Sequence, residues 1–158
     1  IMKGICRQSR DNGRSPMQWD ASEGNGFSIG TPWMKMGKSG SSINAEQDLK
    51  RQEGIFHYYK KLIEMRKTEE LVREGKYIRL EENDPSVWCY LREGENEALL
   101  VIGNFFGAKT EFKMPETWKG SYVITGKLLA NYQDTEIPDS HMKLRAYETA
   151  VFKCIKRR

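Results

Sequence analysis

Cysteine and histidine are scarce in this chain, and a Gly-rich phosphate loop, an internal repeat and a low-complexity tract are all missing. Each gap excludes something. Three cysteines, Cys6, Cys89 and Cys154, make an odd set without paired spacing, so no disulfide framework is indicated. Cys89 and Cys154 sit in apolar, strand-like runs, which predicts buried free thiols and a reducing, cytoplasmic setting. The two histidines, His57 and His141, lie far apart without Cys, His or Asp companions at ligand spacing. They read as structural or solvent-facing, and neither a metal nor a cofactor is expected. Charge of one sign is also lacking. Lys and Arg number 26 against 22 Asp and Glu, a net +4, with the basic residues spread along the chain. A nucleic-acid partner wants a clustered patch with interleaved aromatics, and Lys156-Arg157-Arg158 is better read as a solvated tail. The opening residues 1–6 are too short and interrupted for a signal peptide or membrane span, so no membrane partner is expected. An N-terminal Ile followed at once by a dense motif suggests a piece of something longer.

What is present is enough for a real core. A chain of 158 residues, 38% hydrophobic and 30% charged, has the composition of a soluble globular protein. One stretch organises it: Ser9-Arg10-Asp11-Asn12-Gly13-Arg14-Ser15-Pro16-Met17-Gln18-Trp19-Asp20. Arg10 and Arg14 each carry a fixed fork of N–H donors suited to carboxylates or sugar hydroxyls. Gly13 permits a tight turn, and Ser15 before Pro16 is pushed towards extended backbone. Trp19 offers a large apolar face for anchoring the loop or stacking on a ring. Clusters of Arg, Asp and Asn also serve as self-satisfied turn networks, and that reading stands beside the binding one.

The run resembles the Ser-Arg-Asp-Asn-Ala-Arg-Thr-Pro-Met-Gln-Trp motif of the α-glucosidases of glycoside hydrolase family 13, the α-amylase superfamily. Gly13 for Ala and Ser15 for Thr are the differences. The following Gly26-Phe27 and Gly30-Thr31-Pro32-Trp33 continue the similarity through a long, aromatic-bearing loop. Within the family, oligo-1,6-glucosidases are the nearest in flavour, and trehalose-6-phosphate hydrolases and dextran glucosidases share the motif.

Further along, Asn44 with Gln47 three residues on predicts a helix cap. Ile55, Tyr58, Tyr59, Leu62 and Ile63 fall at offsets 0, 3, 4, 7 and 8, one apolar face of a helix over about 53–66. This segment resembles the last barrel helix of those enzymes, and its face demands a partner. After Gly75 the pattern turns to β. Strands are predicted at Tyr77–Leu80, Val87–Leu91, Leu99–Ile102, Thr110–Met114, Tyr122–Ile124 and Thr149–Ile155, separated by turn chemistry such as Asn83-Asp84-Pro85 and Glu93-Gly94-Glu95-Asn96. Leu99 to Phe105 resembles a strand of the family's all-β C-terminal domain. Leu128 to Tyr132 and Leu144 to Val151 fit its closing strands. The expected fold is mostly β: a C-terminal antiparallel β-sandwich over 73–158, preceded over 1–72 by the last loop and helix of a truncated (β/α)8 barrel.

The resemblance implies a retaining glycosidase, in which two carboxyl groups about 5–5.5 Å apart act as nucleophile and acid/base. The family's three catalytic carboxylates belong to motifs upstream of Ser9, so no catalytic residue is expected here and the chain alone should be inactive. Asp11, flanked by arginines, is held ionised, the wrong direction for a general acid. Asp20 reads as a turn-former. The resemblance makes Arg10, and next Arg14, the candidates for contact with a sugar hydroxyl. Asp11, Asn12 and Trp19 would support the loop. Expected partners are an oligosaccharide substrate and the upstream barrel, with a dimer through the unpartnered helix as another outcome. A different reading is a non-catalytic β-sandwich module with stacking rings drawn from Tyr77, Trp88, Tyr90, Trp118, Tyr122 and Tyr132. Alternating strand aromatics more often line a core.

Overall fold

A computed structural model describes residues 13–80 and 84–157. Arg10, Asp11, Asn12 and Cys6 lie outside the described residues. Packing separates the chain into two units, Ile1–Leu62 and Ile63–Arg158, each described by itself.

The first unit is a loop followed by helices. A 3-10 turn, Glu23–Gly26, interrupts the loop, and α1 (Ala45–Lys50) and the start of α2 (Ile55–Thr68) follow. The expected cap is present: the Asn44 side chain accepts from the Gln47 amide at 2.9 Å, and its own amide donates to the Gly40 carbonyl at 2.7 Å. The start of α2 is capped from a distance. Both Asp48 carboxylate oxygens accept helix N–H groups, from Ile55 at 3.0 Å and Phe56 at 2.7 Å. A carboxylate there also complements the positive end of the helix dipole. His57 Nε2 lies 2.9 Å from the Leu49 carbonyl, a link between α1 and α2. None of this constitutes a core. The buried residues among those described in this unit are Pro16, Gly40, Asn44 and Gly54, and Ile55 and Tyr59 on the apolar face of α2 stand 81% and 64% exposed.

The second unit holds the core. After the end of α2 and a short α3 (Glu70–Glu74) come β1 (Lys76–Arg79), β2 (Val87–Glu93), β3 (Glu97–Asn104), β4 (Thr110–Lys113), α4 (Glu116–Ser121), β5 (Tyr122–Ala130), β6 (His141–Leu144) and β7 (Thr149–Lys156). Five strands form one sheet in the order β1-β2-β3-β7-β5, and β4 pairs with β6 in a second; every pairing is antiparallel. Period-2 alternation sends Val87, Cys89, Leu91, Leu100, Ile102, Phe152 and Cys154 from the large sheet towards Phe112, Met114, Met142 and Leu144 of the small one. This is the expected sandwich. Cys89 and Cys154 are buried free thiols, and burial pushes the Cys154 thiol up to about 11.

Several details depart from the sequence reading. β5 is one nine-residue strand, merging segments expected separately, and it accommodates two register shifts against β7. Leu144 to Val151 is not continuous: β6 ends at Leu144, and a turn with Tyr147 at φ +56° precedes β7. β6 itself, α3 and α4 were not expected. The outer side of the large sheet carries α3, fastened by Arg92, whose guanidinium donates to the carbonyls of Leu71, Val72 and Arg73 at 3.3, 3.1 and 3.0 Å. The Val72 and Arg73 carbonyls are orphan acceptors of a helix C-terminus, and the Leu71 carbonyl also takes the Gly75 amide at 3.1 Å. Arg73 does the same for α2, donating to the carbonyls of Arg66 and Lys67. No described helix is long and apolar enough to cross a membrane.

Candidate functional site

The described part of the motif loop, Gly13 to Asp20, is shaped chiefly by backbone hydrogen bonds. Trp19 N–H donates to the Asn25 carbonyl at 2.9 Å, and the Gln18 and Trp19 carbonyls accept from Ala45 and Glu46, both at 2.9 Å. The motif is thereby sewn to the first turn of α1, whose N–H groups would otherwise lack partners. Asp20 forms the turn expected of it. Its Oδ1 accepts from the Ser22 amide at 2.8 Å and from the Ser22 hydroxyl, and these bonds hold its carboxyl below the usual range. Gly26 then meets two demands at once: its φ is +65°, and a Cβ there would collide with the Asp20 carboxylate. Gly13, the substitution within the motif, meets neither. Its φ is not in the left-handed region, and no atom lies within 4 Å of where a Cβ would stand.

Of the sequence-predicted site residues, the structure places Arg14 and Trp19. Arg14 is exposed and has no hydrogen-bond or ion-pair partner among the described residues. Trp19 is 53% exposed, with its backbone, not its ring, doing the anchoring. The loop after it carries more bare aromatic surface, with Trp33 at 87% and Phe27 at 50%. Arg10, Asp11 and Asn12 lie outside the described residues.

Acid chemistry can be examined directly at one carboxylate pair. In the turn before β7, Arg145 binds Asp134 through Nη1 at 2.9 and 3.0 Å and Glu148 through Nε and Nη2 at 3.0 and 2.9 Å. Thr135 Oγ1 adds a bond to Glu148 at 2.6 Å, and the guanidinium lies 3.9 Å from the Tyr132 ring centroid. Burial pushes the Glu148 carboxyl up, but its bonds from Arg145 and Thr135 outweigh that and hold it at about 2. Hydrogen bonds from Arg145 lower Asp134 as well. Both are fixed as anions, the opposite of what a proton donor needs. This network is structural, and sequence reading missed it. Its trace was Arg145 and Glu148 at i, i+3, a spacing too common on surfaces to announce a buried pair.

The ring candidates divide. Trp118 and Tyr122 are core residues, Tyr90 and Tyr132 are half-buried, and Tyr77 and Trp88 are exposed. Tyr77 and Tyr90 share a face, 5.0 Å apart but tilted by 38°, and the Arg79 guanidinium covers the Trp88 ring at 4.8 Å. No coplanar exposed pair arises among these.

Comparison with known proteins now decides the family. The family described as "Alpha amylase, catalytic domain" matches residues 1–75, and "Alpha-amylase SusG C-terminal domain" matches residues 87–151. The chain belongs to the α-amylase family. Among curated relatives, the trehalose-6-phosphate hydrolase of Bacillus subtilis is 40% identical over 154 residues, covering 94% of this chain and 26% of the relative. The oligo-1,6-glucosidase of Bacillus cereus is 41% identical over 153 residues, covering 97% and 27%. Among solved structures, the Bacillus licheniformis trehalose-6-phosphate hydrolase superposes with a TM-score of 0.88 at 38% identity, over 94% of this chain and 27% of that one. An isomaltulose synthase from Klebsiella gives 0.84 at 31%, over 92% and 26%. This α-amylase-family chain therefore spans about a quarter of the length of the curated relatives it matches. The match is also oriented: the catalytic-domain similarity falls on the first unit, the end of α2 and α3, and the C-terminal-domain similarity falls on the sandwich.

Proposed function

We propose that this chain works as the C-terminal portion of a retaining α-glucosidase that hydrolyses α-1,6 or α-1,4 glucosidic bonds of short oligosaccharides in the cytoplasm. The observation that carries the proposal is the unbroken motif, on a catalytic-domain match, followed by a helix whose apolar Ile55 and Tyr59 are left exposed among the described residues. A barrel helix needs a barrel. In this reading Arg10 and Arg14 face the sugar at the end of the pocket, with Asp11, Asn12 and Trp19 shaping the loop. The guanidinium of Arg14, exposed and without a partner among the described residues, supports an outside partner for it. The functional division falls near 72/73, which the limits of the two family matches support. Packing divides the chain earlier, inside α2, because α3 lies on the sheet.

Hydrolysis of the bonds themselves is assigned to carboxylates upstream of Ser9. Glu148 and Asp134 are committed to Arg145, and Asp20 to Ser22. A second reading has equal support from identity: the B. subtilis trehalose-6-phosphate hydrolase is as similar as the B. cereus oligo-1,6-glucosidase, so trehalose 6-phosphate is the alternative substrate. One experiment tests what these readings share. The corresponding segment of the B. cereus enzyme is replaced by residues 1–158, and the chimera and the chain alone are assayed on p-nitrophenyl α-glucoside, isomaltose and trehalose 6-phosphate. The chain alone should release nothing above background and the chimera should turn over. In the chimera, Arg10→Lys and Arg14→Lys should each lower kcat/KM about tenfold or more, since a charge-assisted bond to a substrate hydroxyl is lost. Turnover by the chain alone would end the proposal.

A further inference from the structure

The loop between the motif and α1 returns to the motif through a closed circuit of contacts. It starts at a left-handed turn, where Gly24, Asn25 and Gly26 have φ of +72°, +53° and +65° in succession. The Asn25 carbonyl accepts from Trp19 N–H at 2.9 Å and from Asp20 N–H at 3.3 Å. The half-buried Asn25 side chain is seated on buried Gly40, so closely that a Cβ on Gly40 would overlap its amide. Gly40 in turn gives its carbonyl to the Asn44 side-chain amide at 2.7 Å. Beside Asn44, the N–H groups of Ala45 and Glu46 donate to the Gln18 and Trp19 carbonyls, both at 2.9 Å. The circuit ends where it began: one arm holds the Trp19 N–H, the other its carbonyl. Asn25 joins the two arms through its side chain. Its backbone conformation alone would favour glycine, as at both neighbours, and asparagine merely tolerates it. What asparagine adds is the side chain that meets Gly40.

We propose that Asn25 is a positioning residue for the motif: seated on Gly40, it fixes the root of the motif at Trp19 and so sets where Arg14 meets the sugar. The assignment rests on the glucosidase reading. It makes the loop of residues 20–44 a clasp whose stiffness is read out as substrate placement, and a small misplacement of a binding group is costly to turnover.

The test uses the B. cereus chimera and the 158-residue chain. Gly40 has no left-handed φ, so Gly40→Ala spares the backbone and removes only the seat. On isomaltose the chimera should lose about tenfold in kcat/KM with Gly40→Ala, and about threefold with Asn25→Gly, which keeps the turn and deletes the side chain. In the Asn25→Gly background the alanine should cost nothing further. In the Arg14→Lys background it should cost about twofold at most, because the residue it misplaces has already been changed. Loss of stability alone would give the same factor in every background. If Gly40→Ala does not fold, Asn25→Gly decides through the same comparison with Arg14→Lys. In the 158-residue chain, exchange of the Trp19 amide hydrogen should quicken about tenfold with Gly40→Ala and fall back to the Asn25→Gly rate in the double variant. An unchanged kcat/KM, an equal loss with and without Arg14 or the Asn25 side chain, or an unaltered Trp19 exchange would overturn the assignment. A chimera inert on every substrate before any substitution fails the glucosidase reading and this assignment with it. An active chimera indifferent to Gly40→Ala removes the assignment alone.

Discussion

Glu148 is 2% exposed and charged, which makes it the residue most sensitive to acid. Its carboxyl is held at about 2, against 4.5 for an ordinary glutamate. A lowered folded-state value means stability that is complete above about pH 4.5 and drains away as pH falls towards 2. The contribution is on the order of 2–3 kcal/mol. We expect Glu148→Gln to destabilise the β unit by about that amount at pH 7, and the gap to the parent to shrink steadily between pH 4.5 and 2. Urea unfolding followed by near-ultraviolet dichroism at several pH values reads this directly; a gap independent of pH would show that the charge is not what matters. Asn104, 1% exposed, supports the same turn by a different route. It donates to the Ala108 and Arg145 carbonyls at 2.7 and 2.8 Å and accepts from the Phe106 amide at 2.9 Å. Asn104→Asp keeps the shape but sets a carboxylate against two carbonyls. It should cost as much as Asn104→Ala, about 2–4 kcal/mol. If Asp were tolerated, the carbonyl contacts would be incidental.

At the scale of elements, the helices owe their ends to specific side chains. Removing the α1 cap with Asn44→Ala should cost about 1 kcal/mol. The effect should be local, seen as faster hydrogen exchange at Gln47, whose amide Asn44 accepts. Arg92→Ala should release α3, because the Val72 and Arg73 carbonyls lose the guanidinium donor and Leu71 loses one of its two. Exchange should quicken across residues 70–75 while β3 and β7 stay protected; protection unchanged in α3 would assign its anchoring to apolar packing. These contrasts also explain what the sequence made legible. The Asn44 cap, the α2 periodicity and most of the strands announce themselves because their signals are local: a cap spans three residues and a strand alternates. Asp48 capping α2 and Arg92 capping α3 act across 7 and about 20 residues of chain, beyond the three-residue reach of a local cap signal. β6 is no shorter than β1 and β4 and alternates, so its signal was present and went unread, and α4 was hidden by the turn-like Lys119-Gly120 within it. The motif loop was legible as a motif, and Asp20 as its turn-former. The Arg145–Glu148 network was not, since burial is a property of the fold and not of the pair.

At the scale of the molecule, the two units are unequally provided for. The sandwich buries a continuous core, whereas the first unit exposes Ile29, Trp33, Ile43, Ile55 and Tyr59, with no buried apolar cluster among its described residues. So many exposed large apolar side chains favour association with whatever complementary surface is present. In the proposed parent that surface is the barrel; in the isolated chain the available substitute is another copy. The 158-residue chain should therefore self-associate at micromolar concentration, with the α2 face at the contact. Replacing Ile55 and Tyr59 by Glu removes the most exposed part of that face without touching any buried residue. Sedimentation velocity should show the parent as dimer or larger and the double variant shifted to monomer, while dichroism of the sandwich stays the same. If the variant associates as strongly as the parent, the loop aromatics Phe27 and Trp33 become the contact instead. Should the parent remain a monomer at all accessible concentrations, the apolar face of α2 needs no cover, and the argument that it belongs against a barrel loses its main physical support.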